Sequence, residues 1–125
     1  MEYDFEFLAK QFSRRHLNAG DILFREGDTN GDGYIIELGQ LELTKEMKGV
    51  KERAAVLGSG EVLGVWKILF DNKSRSFTAK ALVKTHVIEI PEAHISAMLE
   101  QSDPFILHCF RKWLEVSRSY MSESS

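Results

Sequence analysis

The chain has one cysteine, Cys109, among its 125 residues, so it cannot form an internal disulfide. Cys109 lies on a stripe of apolar residues with helical spacing. We therefore expect its side chain to be a buried small hydrophobic group, with a redox role as the alternative.

Blocks of basic residues and long apolar runs are also missing. The formal net charge is −3, and no Lys/Arg cluster of the kind that nucleic-acid surfaces need is present. No apolar run approaches the roughly 20 residues that span a membrane. The first residues, MEYDFEF, are acidic where a secretory signal would be basic. We expect one small cytoplasmic domain with neither nucleic acid nor a membrane as partner.

Residues that would indicate catalysis or a bound metal show no suitable pattern. The histidines share no metal-ligand spacing, and none forms a local constellation with the cysteine or with a serine. They are His16, His86, His94 and His108. The sequence therefore predicts no enzymatic activity, no metal site and no cofactor.

Apolar residues alternate with polar ones through the middle of the chain and recur at helical spacing at both ends. Short alternating runs separated by Gly-rich turns are typical of a small double-sheet jelly roll. The alternating residues are Ile22 and Phe24, Tyr34 to Leu38, Leu41 and Leu43, Phe77 to Val83, and Val87 to Ile90. The expected fold is mainly β with flanking α-helices, in one domain over 1–125. Its parts are an N-terminal helix at 3–13, the roll at 14–90, C-terminal helices at 92–120 and a frayed tail at 121–125.

The second C-terminal helix is predicted to begin at Asp103-Pro104 and to carry one apolar face. That face holds Phe105, Ile106, Cys109, Phe110, Trp113 and Leu114. The stripe either covers the β-roll or forms a homodimer contact.

Between Leu57 and Ala81, three glycines precede a short apolar turn and an Arg-Ser pair. Gly58, Gly60 and Gly64 allow a close backbone approach to a ligand, and free N–H groups after the turn favour an anion. The guanidinium of Arg75 can bind two oxygens of a phosphate at once. These residues predict an anion pocket.

The segments Leu63-Gly64-Val65-Trp66-Lys67-Ile68 and Arg75-Ser76-Phe77-Thr78-Ala79-Lys80-Ala81 resemble the phosphate-binding cassette of the cyclic-nucleotide-binding domain family. The resemblance places the cassette at 58–81. It implies a cAMP or cGMP site in which Gly64 and nearby amides hold the cyclic phosphate and Arg75 pairs with its charge. The implied ligand-binding residues are Gly64, Val65, Trp66, Lys67, Arg75, Ser76 and, on the last helix, Trp113.

Two cassette positions depart from the family pattern. Val65 stands where the family has a glutamate that accepts a hydrogen bond from the ribose 2′-hydroxyl, and a valine has no acceptor. Lys67 stands where the family has a small residue whose amide meets the phosphate. The pocket is therefore atypical.

The resemblance extends over most of the chain. Ala19 to Asp28 is similar to the family's first glycine motif, and Tyr34 to Leu43 is similar to its central hairpin. The order of helix, roll and two C-terminal helices implies that the last helix closes over the pocket, where Trp113 or Tyr120 would stack on a base. For Trp113, a place in the core is the alternative.

A second motif, Asp28-Thr29-Asn30-Gly31-Asp32-Gly33, is similar to the opening of an EF-hand calcium loop. However, the position of the final bidentate carboxylate falls on Gly39, and the flanking residues alternate like strands. We interpret the segment as a polar turn between strands, with a weak calcium contact as the alternative.

Two functions follow. The first is a non-enzymatic regulatory domain that senses a cyclic nucleotide or a related anion and signals to a protein effector through its C-terminal helices. The second is a protein-interaction module that keeps the fold and has lost the ligand. In that case Val65 and Trp66 fill the pocket, and Arg75 pairs with Asp71 or with carbonyl oxygens.

Overall fold

The computed structural model describes residues 10–65 and 73–123, with side chains as far as Val116. The described residues form eight strands followed by two helices. The strands are β1 (Ser13–Leu17), β2 (Ile22–Phe24), β3 (Gly33–Leu38), β4 (Leu41–Met47), β5 (Val50–Leu57), β6 (Val62–Leu63), β7 (Thr78–Ala81) and β8 (Thr85–Ile90). The helices are α1 (Glu92–Gln101) and α2 (Pro104–Glu123).

The strands form two four-stranded antiparallel sheets, in the orders β1-β8-β3-β6 and β2-β7-β4-β5. Consecutive strands repeatedly fall in different sheets, so the chain crosses between the sheets as a jelly roll does. This architecture confirms the predicted mainly β double-sheet fold with two C-terminal helices.

The core lies between the two sheets. Residues of alternating position on the central strands fill it, because successive side chains of a strand point to opposite faces. Its buried members include Leu17, Phe24, Tyr34, Ile36, Leu41, Leu43, Leu63, Ala79, Ala81 and Val87.

The outer face of the first sheet carries an apolar patch. Ile35 of β3 pairs with Ile88 of β8, and both are buried. Ile95 of α1 is buried as well. Its Cδ1 would lie 2.8 Å from a Cβ built on Gly33, which belongs to β3. Helix α1 therefore packs against this outer face.

Helix α2 begins at Pro104, as predicted, and continues to Glu123, beyond the predicted limit at 120. Its apolar stripe is exposed: Phe105, Ile106, Phe110, Trp113 and Val116 all lie in solvent. The prediction that Cys109 is buried is wrong, because its thiol is exposed together with the rest of the stripe. Within the described residues, neither helix combines the length and apolar character needed to cross a bilayer.

The predicted N-terminal helix at 3–13 falls mostly outside the described residues. Lys10 and Gln11 are helical, and Ser13 already belongs to β1.

Candidate functional site

Gly64, at the end of β6, adopts a backbone conformation that side-chain-bearing residues rarely take. Its φ is +86°, and a Cβ built there would lie 2.7 Å from the carbonyl oxygen of Asp32 and 3.0 Å from Nη1 of Arg75. Both the conformation and the crowding require glycine at this position.

Arg75 lies three residues before β7 and is buried, with 4% of its surface exposed. Its Nη1 donates to the carbonyl oxygen of Gly64 at 2.6 Å, and its Nη2 donates to the carbonyl oxygen of Asp32 at 2.6 Å. The structure thus brings together the glycine and the arginine that the sequence assigned to one pocket.

Further contacts fix the guanidinium in place. Nη2 of Arg75 also donates to Oδ1 of Asn30 at 3.3 Å, and the guanidinium carbon lies 4.3 Å from the centre of the Phe24 ring. Its backbone N–H donates to Asp28, and its carbonyl accepts from Gly27. The cation–π contact with Phe24 and the backbone hydrogen bonds of Arg75 together hold the guanidinium in one orientation.

One donor of this buried side chain is unsatisfied. Among the described residues, nothing accepts a hydrogen bond from Nε of Arg75. The three acceptors on its Nη groups, two carbonyls and an amide oxygen, are neutral. Burial lowers the pKa of Arg75, and the charges of Asp32 and Glu92 oppose that shift. A buried cation with a free N–H is suited to an anionic ligand.

Val65 follows Gly64 and is half-buried. Its Cγ1 would lie 3.0 Å from a Cβ built on Gly33, close to where Ile95 of α1 meets that residue. Val65 of the glycine turn and Ile95 of α1 thus both lie against Gly33.

The remaining predicted site residues are placed less closely together. Ser76 follows Arg75 and is half-buried, whereas Trp66 and Lys67 lie outside the described residues. Trp113 is 65% exposed on α2, so it does not occupy the core that was its alternative. The side chain of Tyr120 also lies outside the described part of the chain.

The segment similar to an EF-hand loop connects strands β2 and β3, in agreement with its interpretation as a polar turn. Its side-chain oxygens accept hydrogen bonds from protein groups: Asp28 from the Arg25 N–H, Asn30 from the Asp32 N–H, and Asp32 from the Glu92 N–H. Within the described residues, no group of three or more His, Cys, Asp or Glu side chains is arranged to hold a metal ion.

Asn30 and Asp32 were not among the residues predicted to form the site. The motif itself was visible, but its partner Arg75 is more than 40 residues away along the chain. Local spacing carries no signal for that contact.

The ring of Tyr34 stacks on the ring of Phe24, the aromatic partner of Arg75, at a centroid distance of 6.0 Å. Burial, followed by the charge and hydrogen bond of Glu89, raises the pKa of Tyr34 to about 12. The phenol therefore stays neutral well above physiological pH.

The chain is similar to several known proteins. The chain is 30% identical over 98 residues to the cyclic AMP receptor protein of Thermus thermophilus, covering 78% of this chain and 44% of that protein. It is 31% identical over 86 residues to the lysophospholipase NTE1 of Chaetomium globosum, covering 68% of this chain and 6% of that enzyme. The solved structure of cAMP-bound PfPKA-R has a TM-score of 0.66 at 30% identity and covers 74% of this chain and 33% of the other.

The chain thus spans less than half the length of these curated relatives. The sequence model of the cyclic nucleotide-binding domain matches residues 14–102, which include the roll, the glycine turn, Arg75 and helix α1. The chain belongs to the cyclic nucleotide-binding domain family.

Proposed function

We propose that this domain is a non-enzymatic regulatory module that binds an anionic ligand at Gly64, Arg75 and Ser76, with cAMP and cGMP as the first candidates. The observation that supports it most is that Nε of Arg75, a residue only 4% exposed, has no hydrogen-bond acceptor among the described residues. An unsatisfied buried donor costs about 1–3 kcal/mol, and a phosphate oxygen would remove that cost.

The relatives support the choice of ligand. Two of them carry cAMP in their names, as a receptor protein and as a bound structure. Val65 cannot accept a hydrogen bond from a ribose hydroxyl, so we expect recognition to rest on the phosphate more than on the sugar. The loss of one bond to a charged acceptor lowers affinity by roughly ten- to a hundredfold.

We also propose that the signal leaves through the helices. Val65 and Ile95 of α1 both lie against Gly33, which offers a short route from the glycine turn to α1. Helix α2 exposes a continuous apolar face that a protein effector or a second copy of the domain would bury. Capping of the ligand by Trp113 and a cytoplasmic location stay predictions of the sequence.

Isothermal titration calorimetry with cAMP and cGMP tests the proposal. We expect saturable binding by the unmodified domain and its loss in Arg75→Lys, which keeps a positive charge but not the guanidinium fork. Arg53→Ala is the matched control, because Arg53 is an exposed arginine of β5 that pairs with Glu42 on the neighbouring strand β4. Binding that survives in Arg75→Lys would contradict the assigned role of Arg75.

The second candidate is the ligand-free interaction module. Two observations favour it: the Nη groups of Arg75 already bind carbonyl oxygens, and Val65 is apolar and packed. An absence of heat with either nucleotide, at protein concentrations that would detect millimolar binding, would favour this module over the sensor.

A further inference from the structure

The loop Asn30-Gly31-Asp32 meets the first turn of helix α1, and Gly31 and Asp32 form the hydrogen bonds to Glu92. Oδ1 of Asp32 accepts a hydrogen bond from the Glu92 N–H at 2.9 Å. In return, Oε2 of Glu92 accepts from the Gly31 N–H at 3.1 Å. We call these four residues the clasp.

The clasp supplies a cap that the helix lacks locally. The N-cap residue of α1 is Pro91, whose side chain has no hydrogen-bond acceptor. The first N–H groups of a helix have no partners within the helix, so an acceptor must come from elsewhere. It comes from Asp32, 60 residues earlier in the chain.

The clasp is closely packed. A Cβ built on Gly31 would lie 2.5 Å from the carboxyl carbon of Glu92. A larger residue at position 31 would therefore displace the Glu92 carboxylate. Glycine here serves close approach between the loop and the helix.

The same loop also binds the arginine of the site. Nη2 of Arg75 donates to the Asp32 carbonyl and to Oδ1 of Asn30, and Asn30 Oδ1 also accepts from the Asp32 N–H. One carboxylate residue thus bonds to helix α1 with its side chain and to Arg75 with its backbone.

We propose that Asn30, Asp32 and Glu92 are positioning residues that couple the charge of Arg75 to the attachment of helix α1. The ligand step of this coupling rests on the proposed function, but the link between Arg75 and α1 does not. The carboxylates of Asp32 and Glu92 stabilise the protonated arginine. An anion accepted by Arg75 brings a like charge toward them, which weakens the hold on α1. Because coupling between two sites is reciprocal, loosening the helix also changes anion affinity.

The first test needs no ligand. Asn30→Ala removes the side chain that bonds to Arg75 and to the Asp32 N–H, on an exposed residue that leaves the core intact. Asn18→Ala is the control, an exposed asparagine in the turn between β1 and β2, where its backbone N–H bonds to Asp21. Amide hydrogen exchange by NMR reports on the Glu92 N–H.

We expect exchange at Glu92 to become about tenfold faster in Asn30→Ala and in Arg75→Lys, and to stay unchanged in Asn18→Ala. Unchanged exchange in the first two variants, alongside faster exchange in Asp32→Ala, would show that Asp32 is a local cap only and would overturn the coupling.

The second test uses charge. Glu92→Gln keeps an acceptor for the Gly31 N–H, and Asp32→Asn keeps a capping oxygen, while each loses its negative charge. With cAMP as the probe, we expect affinity to rise about three- to tenfold in each. A purely structural clasp would leave affinity equal or lower, which would overturn the proposal. If cAMP does not bind the unmodified domain, the proposed ligand fails, and the exchange experiment alone decides the coupling.

Discussion

Replacing Arg75 by alanine is expected to unfold the domain more readily as well as to remove ligand binding. The side chain donates to Gly64 and Asp32 at 2.6 Å each and to Asn30 at 3.3 Å, and it stacks on Phe24. Alanine leaves two carbonyl acceptors without these donors and opens a cavity. Leaving these two part-buried acceptors without donors costs about 1–3 kcal/mol each.

The opposing terms are smaller. The substitution relieves the desolvation of the charge and removes the unpaired Nε, worth about 1–3 kcal/mol. From the central values of these opposing terms we expect a net loss of about 2 kcal/mol in the free energy of unfolding. Urea denaturation followed by circular dichroism measures it, and with an m-value of about 1–3 kcal/mol/M the midpoint falls by roughly 1–2 M.

A residue that served the ligand alone would behave differently. Removing it from the ligand-free domain would leave stability unchanged or raise it, because strain at a binding site would be relieved. A midpoint equal to or above that of the unmodified domain would therefore refute the assigned structural role. Arg53→Ala, which breaks an exposed ion pair, should cost no more than about 1 kcal/mol in the same assay.

The remaining predictions concern three other positions. Val65→Glu should raise cAMP affinity about tenfold and make it depend on the 2′-hydroxyl, which titrations with 2′-deoxy-cAMP would show. The new charge near Gly33 should also lower the melting temperature. Unchanged affinity would contradict the cassette alignment. Because Tyr34 has a pKa of about 12 in the folded state against 10.0 as its ordinary value, its contribution to stability is complete below pH 10 and is lost as the pH rises toward 12. Over that interval the unmodified domain should lose about 2–3 kcal/mol more than Tyr34→Phe in urea titrations, and equal losses would contradict the Tyr34–Glu89 interaction. If the apolar face of α2 forms a homodimer, Trp113→Glu should abolish the self-association that sedimentation equilibrium measures. If the unmodified domain is monomeric, the exposed face would instead bind a protein effector.

Much of the fold was predictable because the strands that face the core alternate in hydrophobicity. Strands β2, β3 and β8 were found in this way, as was the turn at Gly39, which has a φ of +106°. Strand β5 was not predicted, because the side chains of Val50–Leu57 are largely exposed and show no clear alternation. Strand β1 has one buried residue, Leu17, and otherwise reads as a polar segment.

The composition of the site was predictable to a smaller degree. The spacing from Gly64 to Arg75 marked the cassette, since both residue types serve an anion. The direction of the guanidinium was not predictable, because its partners Asn30 and Asp32 belong to a loop that only folding brings near. For α2 the periodicity predicted an apolar stripe, but periodicity cannot distinguish a stripe that packs on its own domain from one that stays exposed.

The exposed thiol of Cys109 has a practical consequence. Since this 125-residue chain holds one cysteine, a maleimide dye or spin label attaches to α2 at a single known position without removal of any other residue. Fluorescence or electron paramagnetic resonance would then follow this helix in an otherwise unaltered protein as nucleotide is added, and the chain carries its own reporter of helix movement.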